Sequence, residues 1–180
     1  DLFAWRFEIL DSDSQAVAQA KLAQGFGALF GERAEEQTAL IGELMGLDYS
    51  QSPFIAGIAQ DARQIRDRAF HAGAQYFRLL HQSTGSPIVL LLDDLHWADD
   101  GSRDFVNHLL QACKDLPLMV LCLTRPTLYE RRPLWGSGQG NHERINLAPL
   151  SKRASRELAD ALLVRLDPVP AAPAAHRPAR

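Results

Sequence analysis

The sequence predicts an α/β fold in which a parallel sheet follows a helical segment, and three observations carry that expectation. Apolar residues recur every three to four positions through the first 85 residues. Two unbroken apolar runs, Ile88 to Leu92 and Leu118 to Leu123, appear only afterwards, and a helix-patterned stretch separates them. Strand, helix, strand is the βαβ unit, whose strands lie parallel and are joined by a right-handed crossover.

The first helix is expected after Ser12 or Ser14 as cap, with Val17, Ala18, Leu22, Phe26 and Leu29 or Phe30 on its apolar stripe. A second, short helix is predicted over Glu35 to Met45. After the turn-like DYSQSP comes the clearest periodicity, Asp61 to His81: Ile65, Ala69, Ala72, Tyr76 and Leu79 form one stripe with Phe70, Phe77 and Leu80 beside it. These aromatics read as core. The charges of the same helix, Asp61, Arg63, Arg66, Asp67 and Arg68, read as a solvated face.

STGSP punctuates the chain before Ile88 to Leu92, a run that suits a strand buried on both faces of a parallel sheet. Asp100 or Ser102 is expected to cap the next helix, which carries Phe105, Val106, Leu109, Leu110 and Cys113. The second strand follows, and residues 126–143 then form a Pro/Gly-rich connection long enough to be mobile or functional. A short strand, Arg144 to Leu147, and a helix from about Lys152 to Leu163 capped by Ser151 would add one more α/β step. The expected organisation is a helical part, 1–85, an α/β core, 86–166, and a Pro/Ala tail, 167–180, too poor in large apolar residues to order.

A net charge of −3 and a pI near 6.1 provide no electrostatic footprint for a nucleic-acid backbone, so no direct nucleic-acid partner is expected. Cys113 and Cys122 sit in apolar patterns and read as two reduced core thiols. No apolar run approaches membrane-spanning length and the amino end lacks signal-peptide patterning, so no membrane partner and a cytoplasmic location are expected. The first residue is Asp, and the chain is expected to begin inside a longer reading frame.

The stretch PIVLLLDDLHWADD is the most informative, because it drives five apolar residues into the sheet and then sets Asp93 and Asp94 at the strand's carboxyl end. Open α/β sheets bind ligands at that edge. Adjacent carboxylates there repel unless a cation or strong hydrogen bonds hold the charge, and magnesium on nucleotide phosphates is such a cation. Asp93 would hold it directly or through water, leaving Asp94 to orient and polarise the attacking water. The bland alternative is that both aspartates merely end a strand. Thr124 and Arg125 close the next strand and would emerge at the same edge. Arg125 suits either a terminal phosphate or a salt bridge to Asp93 or Asp94. His96 has no second histidine or cysteine at ligand spacing, which argues against zinc and against a metal-dependent hydrolase built on Asp93, Asp94 and His96. Trp97 reads as a packing residue under the sheet edge.

LLLDDLHWADDGS, the later LTRP and INLAPLSKRASRELADALL together resemble the ATPase module of the STAND branch of AAA-like P-loop ATPases. The nearest likeness is to the predicted ATPases linked to bacterial class III adenylate/guanylate cyclases, which are similar to the maltose-regulator type of transcription activator. The likeness extends over about residues 1–166, DLFAWRFEILDSDS and DARQIRDRAFHAGAQYFRLL included, and is most specific at 86–100. It implies a fragment of a three-layer P-loop NTPase fold acting as a nucleotide-dependent switch, with ATP and magnesium as cofactors and an effector or cyclase domain in the same parent chain. On that pattern Asp93 matches the magnesium-coordinating Walker B acid, Asp94 the water-activating acid and Arg125 the sensor arginine, with Thr124 beside it at the nucleotide.

Two departures stand out. The Walker A loop G-x-x-x-x-G-K-S/T is absent: Lys21, Lys114 and Lys152 are the only lysines and none follows a glycine. The family's small-domain segment after the last helix is also missing. The expectation is therefore an ATP-binding switch in the intact parent that is inactive as this segment. A non-catalytic α/β protein-interaction module is the alternative.

Overall fold

The computed structural model describes residues 2–138 and 140–165, and the chain divides into two compact units, Asp1–Ser137 and Gly138–Arg180. The expected disordered tail lies outside the described residues. No helix among the described residues is long and apolar enough to cross a membrane.

The first unit begins with helix α1 (Leu2–Arg6), then α2 (Gln15–Phe30), α3 (Ala34–Leu44), the single turn α4 (Pro53–Ala56) and the long α5 (Ala62–Thr84). Local chemistry sets these ends. Ser14 accepts from the Val17 N–H and Asp61 from the Gln64 N–H, each satisfying a helix donor that has no intrahelical partner. Gly85 ends α5 in the left-handed region at φ 64°, its N–H returning to the His81 carbonyl 2.8 Å away. Leu22, Phe26, Leu40, Ile41 and Tyr76 are fully buried between α2, α3 and α5. Phe3 of α1 enters this cluster with its ring 5.4 Å from those of Phe26 and Tyr76. Helix α1 and the turns Gly31–Arg33 and Pro53–Ala56 carry no clear periodic signal, as is usual for elements of one turn.

Strand β1 (Ile88–Leu92), helix α6 (Asp100–Ala112) and strand β2 (Leu118–Cys122) follow. The strands pair in parallel, Ile88 opposite Leu118 and Leu92 opposite Cys122. On the side of the hydrophobic core, Ile88, Leu90 and Leu118 pack against the cluster that contains Leu109 of α6. Gly73 lets α6 come close, since a Cβ there would stand 2.6 Å from the Phe105 ring. Both strands alternate in burial, which corrects the expectation of burial on both faces: Val89 is 63% and Leu91 62% exposed. Cover on one face only is the cause.

Two further expectations are corrected. The cap of α6 is Asp99, which accepts from the Ser102 N–H at 2.6 Å, in place of Asp100 or Ser102. Within the predicted long connection lies helix α7 (Thr127–Arg131), anchored by buried Leu128.

In the second unit Arg144 to Leu147 forms no strand, which corrects the expected short strand: four residues reach strand character only where a neighbouring strand completes the ladder, and the described sheet has two strands, β1 and β2. Helix α8 (Lys152–Arg165) is present, with Ser151 Oγ accepting from the Ala154 N–H at 3.1 Å.

Candidate active site

The chemistry-bearing residues meet where β1 and β2 end. Past Leu92 the two chains stay linked: the Leu123 N–H donates to the Leu92 carbonyl at 2.8 Å, and the Leu95 N–H to the Leu123 carbonyl at 3.0 Å. Asp93 and Asp94 form a tight step between those bonds. Asp94 adopts the left-handed conformation (φ 51°, ψ 36°), which aspartate tolerates better than most residues. Its N–H donates to Asp93 Oδ1 at 2.8 Å. The turn then closes through Leu95–Trp97, with the Trp97 N–H on the Asp94 carbonyl. Buried Leu95 sits beneath this turn, and α7 packs against it.

The sequence-predicted residues are therefore gathered at one edge. Asp93, Asp94 and Arg125 are exposed and Thr124 is half-buried. Thr124 Oγ1 makes a long hydrogen bond to the Arg125 carbonyl, which also accepts from the Leu128 N–H at the start of α7. Arg125 forms no ion pair with Asp93 or Asp94 among the described residues, so the salt-bridge alternative is not realised in this structure. Trp97 is 75% exposed, a correction to its expected packing role. The turn points it outward with its ring beside that of His96, 5.1 Å between centroids.

The residues flanking the site are tied down. Asp100 accepts from Arg103 and, at 2.6 Å, from Arg132 just past α7, so one carboxylate joins the start of α6 to the end of α7. These hydrogen bonds, that of Arg103 first, hold its pKa below the usual carboxylate value. Asp99 is lowered as well, by the Ser102 N–H it caps. Two of the four acids in DDLHWADD are thus structural. The sequence held a clue to the clamp in the i, i+3 spacing of Asp100 and Arg103, but Arg132 lies too far along the chain to be read.

Residues 5–121, more than half of the chain, match the family model described as the AAA ATPase domain. The chain belongs to this family. No curated protein and no solved structure matches it. AAA membership makes the chain part of a nucleotide-binding ATPase module, in a family that generally binds ATP and Mg2+. The matched span contains Asp93 and Asp94 and ends before Thr124 and Arg125.

The donor set fits magnesium of the kind that arrives with a nucleotide. Two exposed carboxylates supply hard oxygen ligands, while no group of three or more His, Cys, Asp or Glu side chains among the described residues forms a dedicated metal cage. Such an ion takes one or two protein oxygens and fills its remaining positions with water and phosphate oxygens.

Proposed function

We propose that the chain is the Walker B and sensor part of a nucleotide-dependent switch, in a cytoplasmic bacterial signal-transduction regulator of the STAND branch with a three-layer P-loop core. The observation that carries this reading is the parallel register of β1 and β2, which ends both strands at one edge with Asp93, Asp94, Thr124 and Arg125 together. Asp93 takes magnesium directly or through water, and Asp94 orients and polarises the attacking water. Thr124 and Arg125 contact the terminal phosphate, Arg125 as the reporter of its presence. Magnesium, when bound, neutralises charge on the phosphate oxygens. ATP and ADP are the ligands, and an effector or cyclase domain of the same polypeptide reads the switch.

These 180 residues contain no G-x-x-x-x-G-K-S/T, so this segment by itself binds ATP weakly or not at all. Calorimetric titration of the 180-residue chain with magnesium-ATP tests this, and micromolar affinity would refute it. The roles are tested in a chain extended upstream to include a phosphate loop. Asp93→Ala should weaken magnesium-dependent nucleotide binding. Asp94→Asn should retain binding and slow phosphate release about 100-fold or more. Arg125→Ala should narrow the preference for ATP over ADP. Hydrolysis at the parent rate by Asp94→Asn, with unchanged preference in Arg125→Ala, would make both residues structural.

One observation favours the second reading, a non-catalytic interaction module: the open apolar face formed by Val89, Leu91, Met119 and Leu121. Nucleotide binding that does not appear on upstream extension would favour it.

A further inference from the structure

His96 is the buried polar residue nearest in sequence to the acidic pair, and the site as described above gives it no task. Its side chain is only 5% exposed, and neither ring nitrogen has a hydrogen-bond partner among the described residues. A buried imidazole without partners is costly, and native structures seldom keep one idle. Asp94 Oδ1 stands 3.7 Å from His96 Nδ1, about half an ångström beyond hydrogen-bond reach.

The backbone between them is hydrogen-bonded at both ends. Leu95 donates to Leu123 and Trp97 donates to Asp94, which fixes the turn at both ends. The Asp94 carboxylate, by contrast, is 62% exposed and has His96 as its ion-pair neighbour among the described residues. An exposed side chain can change its torsions while the main chain stays in place.

We propose that His96 is a positioning residue for Asp94: the Nδ1–H of the neutral imidazole donates to the Asp94 carboxylate and fixes its orientation at the sheet edge. The value of this device to hydrolysis rests on the role given to Asp94 above; the hydrogen bond itself does not. A carboxylate on a free, exposed side chain samples several rotamers, and a buried donor at i+2 selects one of them. The imidazole can serve because it is buried, and a buried side chain has fewer orientations open to it than an exposed one.

The first test uses the 180-residue chain and needs no nucleotide. Nitrogen-15 NMR of the histidine rings at pH 8 reports which nitrogen carries the proton. His96 should be the Nδ1–H tautomer, and Asp94→Ala should convert it to the Nε2–H tautomer that free histidine favours. A parent already in the Nε2–H form, or a tautomer unmoved by Asp94→Ala, overturns the proposal.

The second test measures phosphate release in the upstream-extended chain. His96→Phe keeps the ring volume without a donor and should lower the rate about 10-fold with ATP affinity unchanged. His96→Asn, whose amide N–H lies close to the position of Nδ1, should restore most of the rate. In an Asp94→Asn background His96→Phe should have no further effect. A slow Asp94→Asn beside a His96→Phe at the parent rate overturns the positioning inference alone. Should Asp94→Asn run at the parent rate, the water-activating role fails, while the tautomer result still decides the hydrogen bond.

Discussion

The two faces of the β1–β2 sheet are built from nearly the same residue types and meet opposite fates. Ile88, Leu90 and Leu118 pack onto the helical core, whereas Val89, Leu91, Met119 and Leu121 are exposed. Composition cannot account for this, since both strands are apolar throughout. An unbroken apolar strand records that both faces suit burial, but only tertiary structure determines where cover exists. The covered face therefore carries stability, the open face carries little of it, and the carboxyl edge between them presents the residues of the proposed site.

The largest effect of that contrast is expected at Leu109, which is fully buried where α6 meets the core under the covered face. Leu109→Ala should cost about 2–5 kcal/mol of unfolding free energy, from lost burial plus the cavity left behind. Urea unfolding gives the figure. A loss below about 1 kcal/mol would mean that the covered side is no better packed than the open one.

A smaller effect with a pH signature is expected where the covered side is clipped together. Arg78 of α5 donates to both carboxylate oxygens of Asp115, each at 2.7 Å, and to the carbonyl of Ala112. This pairing lowers Asp115 from 3.8 to about 2, mainly through the side-chain hydrogen bond from Arg78. Because the folded value is depressed, the contribution is complete above the unfolded value of 3.8 and is lost as pH falls toward about 2. The pair is solvent-exposed, so its worth is modest and falls with added salt. Arg78→Leu should be less stable than the parent at pH 7, with the gap narrowing between about pH 4 and pH 2. A gap constant across that window would show that Arg78 acts through packing and its bond to the Ala112 carbonyl, with no contribution from the Asp115 pair.

What the sequence disclosed about fold and site follows the same division between local and distant causes. Helices α2, α3, α5 and α6 and both strands were legible because each has a period or a run several residues long. Asp93, Asp94, Thr124 and Arg125 were legible as one edge because parallel strands bring their carboxyl ends together. The Arg144 to Leu147 strand failed because strand character in four residues depends on a neighbour that the sequence cannot supply. Trp97 was misread because its orientation is set by the left-handed backbone at Asp94, which leaves no mark on hydrophobic patterning. Spacing argues that His96 lacks partners for zinc and says nothing of its burial. Its burial follows from the fold of a three-residue turn, and no spacing rule reports that.

The smallest effect, and the sharpest test of the comparison, belongs to the open face. Leu91→Thr replaces one exposed apolar side chain with a β-branched residue of good strand propensity, so the ladder to β2 has no reason to weaken. With 62% of Leu91 already in water, little burial is lost, and unfolding free energy should change by no more than about 0.5 kcal/mol. Removing a leucine side chain costs several times more at buried Leu109, so the contrast between the two losses tests the asymmetry. A loss of about 2 kcal/mol or more at Leu91 would mean that something covers this face in solution. Sedimentation across a concentration range then separates the sources: cover by a second copy makes both the oligomeric state and the Leu91→Thr penalty depend on concentration, and cover from within the chain leaves both unchanged.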